Sequence, residues 1–484
     1  MLLERIEESF EGPSWSNRMF FYFCLFSFLL IIFLLVFIGF AAANSDFAIP
    51  SGPNYNTTEL RNIGFFDNER YLISALVQSL AATIALVITL SLVAVQLAAQ
   101  SYSARVIDVY KNNPDMWILL SIYIVVIFYG LGLLKVIDIG VAGINMELAI
   151  FAVYFLGFFA FVCLIPYILK TLDLLKPSKV IDLLAMDITI EKVMKALEDD
   201  GEITEKDPIQ PIIDIINSSL ERNDYETVRN GLIAIRKSTI VLMRRTNLEQ
   251  EEFEKIPIHS FQHLQRAGEH ALNRRNDDSI SASARTIAEI AITSAKMKNE
   301  KVAIEGLKIL KKMGIQTIVI EREVPTISIT KNITRLGLES IESEIYWTTK
   351  RVIKTLLEIN LESKLGIMES VVIEIIVGLS NLASKIFEKD ENIDIEFRTE
   401  PEEVIENIVN ALTKIVISVN GMEGATLWAV GSIKNIGLKA AKKDLEHITE
   451  STILSLKEVQ KVSENNKYLE APKIAAEAIK KLEG

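Results

Sequence analysis

Residues 71–99 read YLISALVQSLAATIALVITLSLVAVQLAA. None of these side chains is charged, and the uncharged run continues through Ser103 until Arg105. A bilayer core takes about 20 apolar residues as helix. At 1.5 Å per residue, Tyr71–Ser103 would reach about 48 Å, longer than the hydrocarbon. The stretch predicts a membrane-spanning helix that projects beyond the lipid, and with it an integral membrane protein.

Three more apolar runs flank it, at 19–43, 117–134 and 148–169. The first exceeds the apolar core of a secretory signal, about 7–15 residues, so it reads as a retained span. The last two end at Lys135 and Lys170. With the N-terminus in the cytoplasm, Arg5, Arg18, Arg105, Lys111, Lys170, Lys176 and Lys179 fall inside. Only Arg61, Arg70 and Lys135 fall outside, so the positive-inside rule predicts a multi-pass cell-membrane protein with both termini cytoplasmic. The outer loop would be 44–69, and Asn56-Thr57-Thr58 in it is a formal glycosylation sequon of little weight. Lys135, Asp138 and Glu147 lie near the outer ends of spans three and four. Charges at membrane depth are functional candidates by default; the plainer reading is that Lys135 snorkels and Asp138 sits in a loop.

The expected organisation is therefore a transmembrane domain at 1–175 and a cytoplasmic region at 176–484, all-α throughout. Residues 1–170 carry 8 basic and 12 acidic side chains, against 43 and 51 in the rest. Neither part offers a basic stripe to neutralise phosphates, so no nucleic-acid partner is expected. Cys24 and Cys163 both sit in apolar runs and read as packing residues.

Beyond Lys176, apolar residues recur every three or four positions, and strand-like alternation is scarce. Breakers at 199–211, 246–257, 321–334 and 387–401 separate helical blocks, with 324–330 the best candidate for a short extended piece. Shifting Ile287, Ile290, Val302, Leu307, Leu310 and Met313 by 66 gives Ile353, Leu356, Met368, Ile373, Ile376 and Leu379. Shifting by 146 gives Ile433, Ile436, Ile448, Ile453, Leu456 and Val459. Ala295 maps in the same way onto Leu361 and Ala441. Hairpins of helices cannot bury an apolar face alone, so the pattern predicts an α-solenoid-like stack. Its turns are expected near 298–300, 360–363 and 443–446. The alternative is an ordinary bundle with generic amphipathic spacing, which the uneven intervals favour.

Leu92-Val-Ala-Val-Gln-Leu-Ala-Ala-Gln-Ser-Tyr-Ser-Ala-Arg105 resembles the signature of a prokaryotic membrane-protein family catalogued as a domain of unknown function. Ser218-Ser-Leu-Glu-Arg-Asn-Asp-Tyr-Glu-Thr-Val228 resembles that family's Asn-Asp-containing helix start after the membrane region. The resemblance covers about the first 300 residues. It implies four N-terminal spans and a helical cytosolic region, and no reaction.

No Walker-type loop, HExxH or CxxC pair occurs, so no enzyme activity and no cofactor are expected. His259, His263 and His270 fall within about 40° of one another around a continuous helix. Two His at i,i+4 can grip a transition metal, which makes the three a candidate metal stripe. Arg266 on the same face and Gly268 within the segment argue against it, and a half-buried polar face is the plainer reading. The second span carries the stronger pattern. Gln78, Thr89, Gln96, Gln100 and Ser103 fall within about 40° of one another, with Leu92 and Val93 at the sector's edges. This uncharged polar stripe predicts a homo-oligomeric pore or ion channel lined by the second span and assembled or gated by the cytoplasmic helices. Leu92 and Val93 would then form a dewetting constriction. The rival is a membrane-anchored scaffold or sensor whose stack binds a cytoplasmic protein partner, the stripe merely packing spans together.

Overall fold

The structure is a computed structural model that describes residues 57–101, 114–139, 146–173, 175–198, 207–245, 250–363, 368–389, 399–419 and 421–483. The expected first span, 19–43, lies outside them. Among the described residues there are helices and turns and no strand. The chain divides into two compact units, Met1–Leu183 and Leu184–Gly484.

The first unit holds α1 (Thr57–Ser101), α2 (Pro114–Ile139) and α3 (Met146–Asp173). Each contains a stretch long and apolar enough to cross a membrane: Asn68–Leu97, Met116–Ile137 and Leu148–Asp173. On α1 the inward side chains are Ile73, Val77, Leu80, Val87, Ser91 and Ala94, with Ile84 half-buried among them. Steps of four and three alternate along this row, the 3.5-residue repeat that keeps one seam against neighbouring helices. Leu119, Tyr123, Val126 and Leu133 on α2, and Val153, Ala160, Cys163 and Tyr167 on α3, complete the core. Small residues let the helices approach: a Cβ on Gly130 would stand 2.6 Å from Val77, and one on Gly157 2.8 Å from Leu76. Gly132, by contrast, has open space beside it. Between α1 and α3 the Ser91 and Tyr167 hydroxyls share a 2.6 Å hydrogen bond.

α1 is 45 residues long, about 67 Å as an α-helix. It starts at Thr57, so residues 57–69, expected in an outer loop, continue the helix instead. Thr57, Thr58 and Glu59 are serviceable helix starters, and no Gly or Pro interrupts the chain before Gly64. Likewise Asp138, expected in a loop, lies in the last turn of α2.

After α4 (Pro177–Asp187), the second unit comprises α5 (Ile190–Glu198), α6 (Gln210–Glu221), α7 (Tyr225–Met243), α8 (Gln250–Asn273), α9 (Asp277–Lys296), α10 (Glu300–Val319), α11 (Glu323–Glu342) and α12 (Tyr346–Ser363). It ends with α13 (Glu369–Lys389), α14 (Thr399–Ser418), α15 (Glu423–Lys442), α16 (Glu446–Asn465) and α17 (Ala471–Glu483). α7, α9, α11, α13, α15 and α17 follow one another as one layer, and α6, α8, α10, α12, α14 and α16 as the other. The result is a stack of hairpins sharing a continuous core. Its core column Leu264, Ile287, Leu310, Ile333, Leu356 and Leu379 repeats every 23 residues, and every member is 0% exposed. So does the column Ala267, Ile290, Met313, Leu336, Ile359 and Leu382. One helix with its turn takes 23 residues, and one hairpin 46.

This corrects the interval read from the sequence. A shift of 66 falls three residues short of three helix periods, so it pairs α9 with α12 one turn out of register and in opposite layers. The shift of 146 carries α9 onto α15 in the same layer. The hydrophobic match is that of helix with helix. Ile373 and Ile453 are accordingly only half-buried, Leu361 is 48% exposed, and Ala441 faces outward too. Segment 324–330 is helical, inside α11, where Pro325 occupies the first turn, a position that needs no N–H donor. Pro257 is likewise inside α8. Turns do fall at 297–299 and 443–445; the one expected at 360–363 comes after Ser363. α13 also meets the length and hydropathy requirement for a span, yet 56% of its window is buried, against 22–33% in α1–α3. Its apolarity belongs to the interior of the stack.

The turns share one geometry. Asn223, Arg275, Lys298, Glu321, Glu344, Asp444 and Lys467 each take a left-handed backbone, φ 53° to 63°. At the third, Lys298 N–H donates to the Ala295 carbonyl at 2.8 Å and Asn299 N–H to that of Ser294 at 2.9 Å. The same pair of bonds closes the other six, the Schellman arrangement usually built on glycine. Side chains at such a position cost about 1 kcal/mol. Lys298→Val, β-branched, should therefore lower the stack's stability by about 1 kcal/mol. Lys298→Gly should leave it unchanged or slightly raised, because relief of strain offsets the looser unfolded chain. Thermal unfolding followed by helical circular dichroism separates the two; equal melting points for both variants would refute the strain argument.

Candidate functional site

Two places concentrate polar chemistry. The first is the polar sector of α1. Measured from Gln78 at 100° per residue, the inward row from Ile73 to Ala94 occupies about 160–260°. Gln78, Thr89 and Gln96 lie on the opposite side, and all three are exposed or half-exposed. Tyr71 and Ala82 beside them are exposed too, and Ser74 is half-buried. Leu92 and Val93, at the sector's edges, are 54% and 44% exposed. Thr89 returns its hydroxyl to the Ala85 carbonyl at 2.8 Å, and Gln78 donates weakly to Ser74 Oγ at 3.4 Å. The side chain of Gln100 and the whole of Ser103 lie outside the described residues. Of the three membrane charges, Lys135 lies near the end of α2, while the side chains of Asp138 and Glu147 are outside the description. Tyr154, half-buried on α3, donates its hydroxyl to Glu69 on α1.

The second place is in the stack. α8 runs unbroken from Gln250 to Asn273 through Gly268, so His259 and His263 do share a face one turn apart. Both are buried, at 4% and 0% exposure, where a half-buried surface is the plainer expectation. Their Nε2 atoms each stand 2.8 Å from the same oxygen, Oδ2 of Asp207, which is itself 1% exposed. Asp207 sits just ahead of α6; its Oδ1 accepts from Ile209 N–H at 2.9 Å, which fixes the carboxylate against the chain. The two rings are 4.9 Å apart and nearly perpendicular. Beside them Thr239 on α7 donates to Ser260 Oγ on α8 at 2.8 Å.

Burial by itself would raise the Asp207 carboxyl, but hydrogen bonds from His259 and His263 outweigh it and hold the group well below the usual carboxylate range. Burial pushes the His263 imidazole down, against the pull of Asp207. The consistent state is a carboxylate between two neutral rings that each donate Nε2–H. Nδ1 of both rings is then buried with no hydrogen-bond partner.

His270 does not join this group. It shares the helix face, but it lies seven residues beyond His263, about 10 Å along the axis. Angular coincidence ignores rise, and Asp207 takes the third place. The one local sign of Asp207 in the sequence is an Asp-Pro pair ahead of a helix, which marks a turn and says nothing of a partner 52 residues away. Nor does spacing reveal a cleft of about 560 Å³ along α7, α9 and α11. Arg229, Arg236 and Arg285 line it with Tyr225, Glu226 and Asp278, and Glu289 pairs with both Arg236 and Arg285.

Residues 17–225 match the model of a family described as "Predicted membrane protein (DUF2254)". The match takes in both segments that carried the resemblance, apart from Glu226–Val228. No curated protein matches the chain. Among solved structures, one titled "Circular tandem repeat protein with novel repeat topology and enhanced subunit contact surfaces" is 14% identical, with a TM-score of 0.33, covering 75% of this chain and 96% of its own. Another, titled "Computational Design of Self-Assembling Cyclic Protein Homooligomers", is 16% identical with a TM-score of 0.15, covering 63% and 97%. At those scores neither likeness bears on the fold.

Proposed function

A predicted membrane protein over residues 17–225, this chain forms, we propose, a homo-oligomeric pore lined by α1. The observation that carries this reading is the direction of the polar sector: Gln78, Thr89 and Gln96 point away from the α1–α3 core. Uncharged polar groups are costly against lipid unless they meet partners or water. α1 already spends its opposite face on α2 and α3, so copies of α1 around a common axis would hydrate the sector. Gln and Thr would wet such an axis without fixing a strong charge preference, since rings of ionised side chains usually do that. The deciding measurement is the mass of the purified chain in detergent together with cross-linking through Gln96→Cys. An oligomer cross-linked at that position supports the pore; a monomer hands the reading to a membrane-anchored scaffold.

In the same reading both termini are cytoplasmic and 44–56 is external. Ser51→Cys should react with an impermeant maleimide added to intact cells, and Lys461→Cys only after lysis, with Cys24 and Cys163 replaced by serine beforehand. Labelling of both from one side overturns the topology.

A further inference from the structure

We propose that Asp207, His259 and His263 bind a divalent transition-metal ion of the zinc class. The donor set is the first reason. Two imidazoles and one carboxylate are ligands that such ions select, and a ligand atom of each lies within 4.8 Å of those of the other two. Their aim is the second. Both Nε2 atoms point at one oxygen, so three donor atoms converge on one spot from two separate elements, the lead-in to α6 and the middle of α8. At metal–ligand distances of about 2.0–2.1 Å, tetrahedral donors stand roughly 3.3 Å apart. Opening the 2.8 Å contacts by about 0.5 Å makes that room.

Burial is the third reason. The carboxylate is sealed from solvent and has no Lys or Arg partner among the described residues. A buried anion held only by neutral donors is costly, and a cation at the point of convergence neutralises it. As hydrogen-bonding groups alone, the rings leave two buried Nδ1 lone pairs unmatched, which a purely structural triad has no reason to retain. On metal binding each ring proton moves from Nε2 to Nδ1 and the Nε2 lone pair goes to the ion, so no net proton is released. Three protein donors leave one position for water or another small ligand. The ion would fasten the α6 lead-in to α8 near the start of the stack, whether or not α1 lines a pore.

The test uses the full-length protein in detergent, stripped with chelator and titrated with Co(II) and then Zn(II). One equivalent per chain is expected, with visible Co(II) bands of a four-coordinate nitrogen–oxygen site that Zn(II) abolishes. Asp207→Asn, which keeps the shape, and His263→Ala should each weaken binding by at least about tenfold. His270→Ala and His447→Ala should leave it unchanged. Binding well below one equivalent by the unaltered protein overturns the proposal and leaves a hydrogen-bonded triad, even if the variants misfold. Loss with His447→Ala equal to that with Asp207→Asn overturns it as well.

Discussion

Gln96→Leu lowers ion flux through liposomes containing the full-length protein by about tenfold, and Leu92→Ser or Val93→Ser raises it. Leu92 and Val93 border the sector one helical turn from Gln96, at 54% and 44% exposure. Together they form the narrow apolar belt at which a water column would break. The Gln96 amide relieves that belt. Desolvating an amide costs about 1–3 kcal/mol on protein scales, and about 1.4 kcal/mol is a factor of ten. Removing it lengthens the apolar stretch toward Thr89, while a hydroxyl at 92 or 93 shortens it. Flux that is the same in all three variants, with reconstitution shown to be equal, would sink the pore reading. A shift in the same direction for every substitution would point to altered folding rather than altered wetting.

Gly306→Val destabilises the stack by about 3 kcal/mol or more. A Cβ at 306 would stand 2.7 Å from the Ala291 Cβ and 3.0 Å from Phe261 Cζ, where carbon contacts ordinarily lie at about 3.5–4.0 Å. Ala291 has no side chain to swing aside, and Phe261 is wholly buried, so α10 has to back away from α8 and α9. Gly431→Ala is the matched control. Its Cβ would meet nothing within 4 Å, and alanine in a helix interior gains about 1 kcal/mol over glycine. The midpoint of thermal unfolding should therefore fall for the first and rise for the second. A fall of similar size for both would mean that glycine flexibility, not close approach, matters at 306.

The membrane region is legible in the sequence because lipid imposes one rule on every residue, and an uncharged run of such length has few other readings. Only the bounds differ: polarity at 57–69 suggests a loop, whereas helix continues wherever no breaker stops it. The stack is legible as helices, and its period is present in the numbering of Leu264, Ile287, Leu310, Ile333 and Leu356. That period is hard to find because amphipathic helices match one another at many shifts, three and four residues being nearly equivalent on a helix face. Turn geometry would settle the register, but polar residues such as Lys298 and Glu321 stand where glycine normally signals it. His259 and His263 can be paired by spacing alone. Asp207 cannot, since its place beside them depends on how α6 packs on α8. His270 groups with them by angle, yet distance along the axis excludes it.

A uniform 23-residue step makes the stack divisible like a printed ribbon. Excising residues 300–345 would join Asn299 directly to Tyr346, so that α12 follows α9 where α10 had been, in the same layer and at the same depth. Excising a single step would instead bring a helix into the opposite layer with its buried face turned outward. Gain or loss by whole pairs is thus a short evolutionary path for this region, and gain or loss of odd pieces is closed. The longer connections, at 364–367 and 390–398, are where that accounting has been relaxed, and new sequence is most easily accommodated there.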